Sequence, residues 1–253
     1  MKIVFCGYGR AALECFYQLV SVYNLDLKNI NVYTHDADGN ENFIMHLINN
    51  KIKYTVENIN DCRDELVKFS PDYLVSIYYR YIIKKNILET VHYKAMNLHP
   101  SLLPAYRGTK SSVWAILNNE KETGITFHYI NEKIDDGNII LQKTIPINND
   151  DTAYSLYNKL ISLFILNFSS AFDMLINNTL GYEQAGKTTY YKRELPYNGV
   201  LNFEDTSYEK AKLFVRAMYF PPHKGAVFLK NNNQKIEINN LKVLAKYKDF
   251  FKK

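Results

Sequence analysis

The 253-residue sequence predicts an α/β fold: a doubly wound, mostly parallel sheet followed by a small C-terminal α+β subdomain. Three observations support this. Apolar, β-branched runs alternate with stretches of helical periodicity over the first 80 residues, the pattern of βαβ units. A glycine turn, Gly7-Tyr8-Gly9, separates the first such run from the first helical stretch. Beyond residue 186 the chain becomes a series of short basic and aromatic segments. Right-handed crossovers between the parallel strands then make the sheet Rossmann-like. The expected organisation is a body at 1–185 and a small subdomain at 186–253.

Residues 2–6 (KIVFC) are continuously apolar around a β-branched centre and predict a buried strand. Residues 10–22 carry apolar positions at helical spacing. The alternation continues with a strand at 30–34, a helix at 41–50, a short strand at 53–56, a helix at 61–69 and, after Pro71, a strand at 72–79. Residues 95–99 read as a short strand, 100–108 with two prolines as a loop, and 111–118 as a helix. Strands at 123–130 and 138–147 flank an acidic turn at 133–137. The long apolar periodicity of 151–177 predicts one helix packed on the sheet, and the polar, Gly-containing 181–187 reads as a linker. The remainder predicts a strand at 188–193, a helix at 207–218, and strands at 227–230, 235–238 and 241–247.

Composition excludes several classes. Hydrophobic residues at 47% and charged residues at 23% are a globular balance, not a disordered one. The 21 Tyr and 14 Phe can fill a sizeable core. Three cysteines, Cys6, Cys15 and Cys62, form no CxxC pair, which argues against a disulfide framework or a zinc cluster. No secretory pattern opens the chain, and its apolar stretches are interrupted before about 18 residues. A cytoplasmic protein without a membrane partner is expected. The net charge of +5 is uneven: residues 186–253 hold 14 Lys/Arg against 6 Asp/Glu. A basic appendage on a mildly acidic body suits either a phosphate-bearing partner or a plain solvated surface.

Chemistry concentrates in two places. Gly7-Tyr8-Gly9 invites a dinucleotide-binding reading, but the third glycine is missing and Asp36 stands too far on for the ribose contact, so a tight strand-to-helix turn is favoured. Arg10 still lies just past the carboxyl end of the first strand, where ligands of open α/β sheets collect. The second place is Asn97-Leu98-His99-Pro100-Ser101-Leu102-Leu103-Pro104, with Asp135 thirty-six residues after His99. Asn97 and His99 share one strand face by the period of two. An amide N–H beside an imidazole can stabilise a developing oxyanion, and a carboxylate can fix the imidazole's tautomer. Read alone, each of the three is as readily a cap, a turn former or a satisfied core polar group.

The string from Asn97 to Gly108, followed by Asp135-Asp136-Gly137, closely resembles the 10-formyltetrahydrofolate-dependent formyltransferase family, with its Asn-x-His-x-Ser-Leu-Leu-Pro loop and later Asp-x-Gly. Thr123-Gly124-Ile125-Thr126-Phe127-His128 and Ile139-Ile140-Leu141-Gln142 agree with it. The resemblance implies a formyltransferase-type fold in which 1–185 is catalytic and 186–253 serves substrate binding or dimerisation. It implies Asn97, His99 and Asp135 as the catalytic residues, with no metal. Asp135 is preferred over Asp136 because the glycine falls two residues later. It implies 10-formyltetrahydrofolate as donor, its pterin near Tyr78, Tyr79, Arg80, Ile82 and the backbone of Asp135. The remainder of the chain resembles the sugar N-formyltransferase branch, through Tyr190-Tyr191-Lys192-Arg193 and the Val215-Arg216-Ala217 to Gly225-Ala226 segment. The acceptor implied is a nucleotide-linked amino sugar, with dTDP-4-amino-4,6-dideoxyglucose first, for surface-glycan assembly. Arg10, Arg80, Arg107, Gly108, Tyr219 and Phe220 are its expected contacts, and a homodimer is the expected assembly, without nucleic acid. The alternative is a methionyl-tRNA formyltransferase with a reduced C-terminal domain.

Overall fold

The computed structural model describes residues 1–230 and 234–252. The expected subdomain at 186–253 therefore includes four residues, 231–233 and 253, that lie outside the described ones. In chain order the elements begin β1 (Ile3–Gly7), α1 (Gly9–Val22), β2 (Ile30–Tyr33), α2 (Glu41–Asn49), β3 (Tyr54–Thr55), α3 (Arg63–Phe69), β4 (Tyr73–Ile77), α4 (Lys85–Leu88) and β5 (Ala95–His99). They continue β6 (Arg107–Gly108), α5 (Ser111–Leu117), β7 (Glu122–Tyr129), β8 (Ile139–Pro146), α6 (Ala153–Ile176) and β9 (Tyr190–Tyr191). The last are β10 (Val200–Asn202), α7 (Tyr208–Met218), β11 (Ala226–Leu229), β12 (Lys235–Ile238) and α8 (Leu241–Ala245).

The main sheet has the order β3-β2-β1-β4-β5-β7-β8. Strand β1 is buried along its whole length, as its unbroken apolar run requires of a central parallel strand. Its partners β2 and β4 are both parallel to it, and β4 is parallel to β5. The winding direction reverses between β1 and β4, a topological switch point at whose carboxyl edge ligands of such sheets bind. Strand β7 runs antiparallel to β5, with His99 opposite Thr126 and Asn97 opposite His128. The expected mostly parallel, doubly wound sheet with added C-terminal strands is the architecture observed.

The chain divides into two compact units. The first comprises residues 1–99, 125–143 and 161–187, and the second 100–124, 144–160 and 188–253. This division is discontinuous along the chain. The first unit is cored by apolar side chains of the sheet, including Val4, Cys6, Leu74 and Ala95, packed with Leu66, Ile87 and Leu88. The second is cored by aromatic rings: Phe203, Phe214 and Phe228 are completely buried and Phe251 stacks among them. Helix α5 packs on α7 there, and β10, β11 and β12 form a separate small sheet. Helix α6 is long and apolar enough to cross a membrane by length and composition, yet Leu156, Leu160, Phe164, Phe168 and Phe172 along it are completely buried, the signature of a core helix.

Two expectations change. Residues 241–247 read as a strand, but Leu241–Ala245 is helical. Asn240 decides this, because its side-chain oxygen accepts the backbone N–H of Val243 and caps the turn. Residues 181–187 are not a free linker: Tyr182 and Ile139 exchange two backbone hydrogen bonds of 3.0 and 2.7 Å.

Candidate active site

The carboxyl end of β5 carries Asn97 and His99 on one face, as the alternation along a strand dictates. His99 is almost fully buried. Its Nδ1 lies 3.4 Å from Asp135 Oδ2. Asp135 sits in the turn after β7 with a left-handed φ of 50°, a conformation that Asp tolerates better than most residues and that recurs at functional positions. Two features pin that turn. The Gln184 side chain donates to the carbonyls of Asp135 and Gly137 at 2.8 and 2.9 Å. Gly137 passes so close to β7 that a Cβ there would stand 1.9 Å from the Tyr129 carbonyl oxygen. The glycine of the Asp-x-Gly pattern is thus a steric requirement of the turn.

The neighbouring Asp136 is placed differently. Its carboxylate lies 3.8 Å from Lys133 Nζ and is more exposed than that of Asp135. The structure therefore separates the two acids that the sequence sets side by side.

His128, given no role by sequence reasoning, completes the cluster. Its Nδ1 is 2.8 Å from the Tyr129 carbonyl oxygen, which only accepts, so Nδ1 carries the ring proton. In the neutral ring Nε2 then accepts from Asn97 Nδ2 at 3.2 Å. Asn97 has a second amide hydrogen beyond that bond. His128 Nε2 also lies 3.6 Å from Asp135 Oδ1, a contact that becomes attractive only when that nitrogen carries a proton. The pairing of Asn97 with His128 across β5 and β7 was the signal available, but it needs the antiparallel register and not periodicity alone.

The other expected contacts belong to both units. Arg10 and Arg80 are both exposed, each three residues beyond the paired ends Gly7 and Ile77 of the adjacent strands β1 and β4. The Arg80 guanidinium lies over the Tyr81 ring at 5.4 Å. Tyr78 has φ 55° and meets Phe164 edge-on. The Tyr79 hydroxyl donates to the Glu57 carbonyl and accepts from the Ile59 amide, and burial pushes its pKa well up, so its side chain is committed to the fold. Ile82 is exposed, and its carbonyl accepts from the Asn60 side chain. Gly9 N donates to Asn40 Oδ1, which anchors the glycine turn in the way expected of a strand-to-helix connection. In the second unit Arg107 and Gly108 form β6, paired with Tyr190 and Tyr191 of β9. Tyr219 accepts the Tyr154 amide through its carbonyl, and the Phe220 ring packs edge-on against Tyr154 and Tyr157.

An imidazole and an amide aimed from one strand end, with a carboxylate behind the imidazole, equip a doubly wound sheet for acyl transfer. Comparison with known proteins narrows this. Residues 32–163 match the formyl transferase family. The GDP-perosamine N-formyltransferase of Brucella melitensis is 36% identical over 232 residues, covering 89% of this chain and 88% of its own length. The crystal structure of WlaRD, a sugar 3N-formyl transferase in the presence of dTDP and 5-N-formyl-THF, superposes with a TM-score of 0.75 at 28% identity, covering 93% of this chain and 84% of that one. The N-formyltransferase from Helicobacter canadensis, in complex with folinic acid and dTDP-3-aminofucose, gives 0.72 and 28%, covering 87% and 81%. The chain belongs to the formyl transferase family, in its sugar N-formyltransferase branch.

Proposed function

We propose that the protein moves a formyl group from 10-formyltetrahydrofolate to the amino group of a nucleotide-linked amino sugar, with Asn97, His99 and Asp135 as the catalytic residues. The observation that carries this reading is His99 held 3.4 Å from Asp135 on the strand that also presents Asn97. When bound, the folate supplies a formyl carbon whose bond to N10 can be broken. Asn97 and His99 donate to the formyl oxygen as the acceptor amine forms its new C–N bond, in the water-poor setting where such donors count most. Asp135 holds the His99 ring through Nδ1 and stabilises its charged form. One of these groups, or a water, takes the proton lost by the amine, and a proton returns to N10 as the C–N10 bond breaks. His128 positions the Asn97 amide by accepting one of its two hydrogens.

The folate pterin is read as lying along the backbone of Tyr78, Arg80, Ile82 and Asp135, and Tyr79 then contributes through its main chain. Arg10 and Arg80, exposed beyond two adjacent strands, suit the pyrophosphate of the acceptor. Arg107, Gly108, Tyr219 and Phe220 belong to the second unit and are read as further acceptor contacts, in a 186–253 subdomain that also serves a homodimer. The reading places the enzyme in the cytoplasm, in surface-glycan assembly. For the acceptor, dTDP-4-amino-4,6-dideoxyglucose follows from the sequence resemblance, whereas the 36% identical relative is named for GDP-perosamine, and this higher identity favours a GDP-linked sugar.

The test is a transformylation assay with 10-formyltetrahydrofolate against GDP-, dTDP- and UDP-linked amino sugars. A nucleotide-dependent product is expected with one of them. Formylation of initiator methionyl-tRNA at a comparable rate would overturn the acceptor class.

A further inference from the structure

The second unit contains a cavity of about 590 Å³ whose lining residues all belong to that unit. None of Asn97, His99, His128 or Asp135 contributes to it. Its volume is in the range of sites for small molecules of nucleotide size.

One wall holds a preorganised cation. The Arg216 guanidinium on α7 is half-buried and fixed by two backbone acceptors: Nε donates to the Asp151 carbonyl at 2.7 Å and Nη2 to the Asn148 carbonyl at 2.9 Å. Its remaining nitrogen, Nη1, has no hydrogen-bond partner among the described residues. Its charge is offset only in part, by Asp151 and Asp150. Asp151, the nearer acid, is already taken by Lys159 Nζ at 2.7 Å, and Asp150, also lining the cavity, is solvent-exposed. A rigid guanidinium with a spare N–H edge facing a cavity is suited to an anionic oxygen.

The other walls suit a flat ring. Tyr219, Pro222 and Leu241 present apolar surface, and the exposed His223 imidazole stands at the rim. Asn239 brings a side-chain amide, donor and acceptor together, with no hydrogen-bond partner among the described residues. That amide has room only because residue 225 is glycine: a Cβ there would stand 1.8 Å from Asn239 Oδ1. An amide can read the hydrogen-bonding edge of a heterocycle bidentately.

We propose that this cavity is a binding site for a planar heteroaromatic ring that carries an anionic group, the anion held by Arg216 and the ring lying against Tyr219 and Pro222 with its edge on Asn239. Nucleoside diphosphates and folates share this chemistry. Because the cavity is complete within its unit, it binds without the catalytic residues.

Calorimetric titration separates the sources. GDP, dTDP, folinic acid and inorganic phosphate are titrated into the full chain carrying His99→Ala, alone and with Leu241→Trp, which fills the cavity, or His223→Glu, which opposes an anion at its rim. Both positions are exposed, so the melting temperature stays at its starting value. At least tenfold weaker binding of a nucleotide, with folinic acid unchanged, assigns the site to nucleotides, and the reverse pattern assigns it to folates. Unchanged affinity for both in both variants, or phosphate binding as tightly as the ring-bearing ligands, overturns the proposal. These titrations involve no turnover, so a failure of the formyl-transfer reading leaves them interpretable.

Discussion

Two nearly buried carboxylates, Asp135 in the first unit and Asp151 in the second, are built from the same chemistry to different ends. Asp151 is saturated. Lys159 Nζ lies 2.7 and 2.8 Å from its two oxygens, Ser155 Oγ donates at 2.8 Å and the Asn148 amide at 2.8 Å. Burial pushes its pKa up, but these hydrogen bonds together outweigh burial and hold it below the ordinary carboxylate value. Asp135 instead faces two imidazoles at 3.4 and 3.6 Å, in a left-handed backbone conformation. A carboxylate tied to a permanent cation stabilises a loop and does little else. One that faces two imidazoles can orient a ring that gives or takes a proton, which is what acid–base catalysis needs.

That contrast is broken most decisively at Asp135. His99→Ala and Asp135→Ala are each expected to lower kcat by about 10³-fold, within the usual range for general acid–base groups, while nucleotide-sugar affinity stays nearly intact. Wild-type turnover in both would remove the site. A smaller effect, about 10²-fold in kcat, is expected for Gly137→Ala, because the added methyl must push the Asp135 turn off Tyr129 and displace the carboxylate by a fraction of an ångström or more. An unchanged rate would mean that the turn does not position Asp135.

His128→Phe sharpens the comparison from the other side. It removes the acceptor that orients Asn97 and is expected to cost about tenfold in kcat, ~1.4 kcal/mol, with little change in acceptor KM. His128→Gln restores a side-chain oxygen acceptor and should recover part of the loss. A merely structural role would move stability in both variants and leave the kcat-to-KM pattern unselective.

Asp151→Asn should leave kcat near wild type and lower stability by about 2 kcal/mol at neutral pH, the scale of hydrogen bonds to a charged group. The pH dependence has a definite sign. A folded pKa below the unfolded 3.8 means that the contribution is present above 3.8 and is lost as pH falls through the lower folded value. Urea melts of wild type and variant should therefore converge only below about pH 4. A constant gap down to pH 3 would show that the carboxylate's charge is not what stabilises the loop.

Much of this was readable from the chain. The run at Ile3–Gly7, the helices that follow it and the Asn97-to-Pro104 string depend on local pattern, and local pattern sets strand, helix and turn. The misreadings share one cause. At 241–247 a short, largely apolar segment was read as a strand, and a single capping amide, Asn240, sets a helix there instead. At 181–187 a polar composition pointed to a linker, whereas Tyr182 and Gln184 tie the segment to Ile139 and to the Asp135 turn.

The sequence by itself determined the fold class and the order of its main elements, because side-chain period and turn chemistry act over a few residues, while its resemblance to the family singled out the amide, the imidazole and the acid. Only the tertiary structure decided that His128 joins the cluster, that Asp135 and Asp136 have different surroundings, and that Arg216 faces a cavity with an unused edge. Those facts follow from antiparallel register, steric exclusion at Gly137 and the distribution of acceptors around a half-buried cation. Each depends on groups brought together from distant parts of the chain.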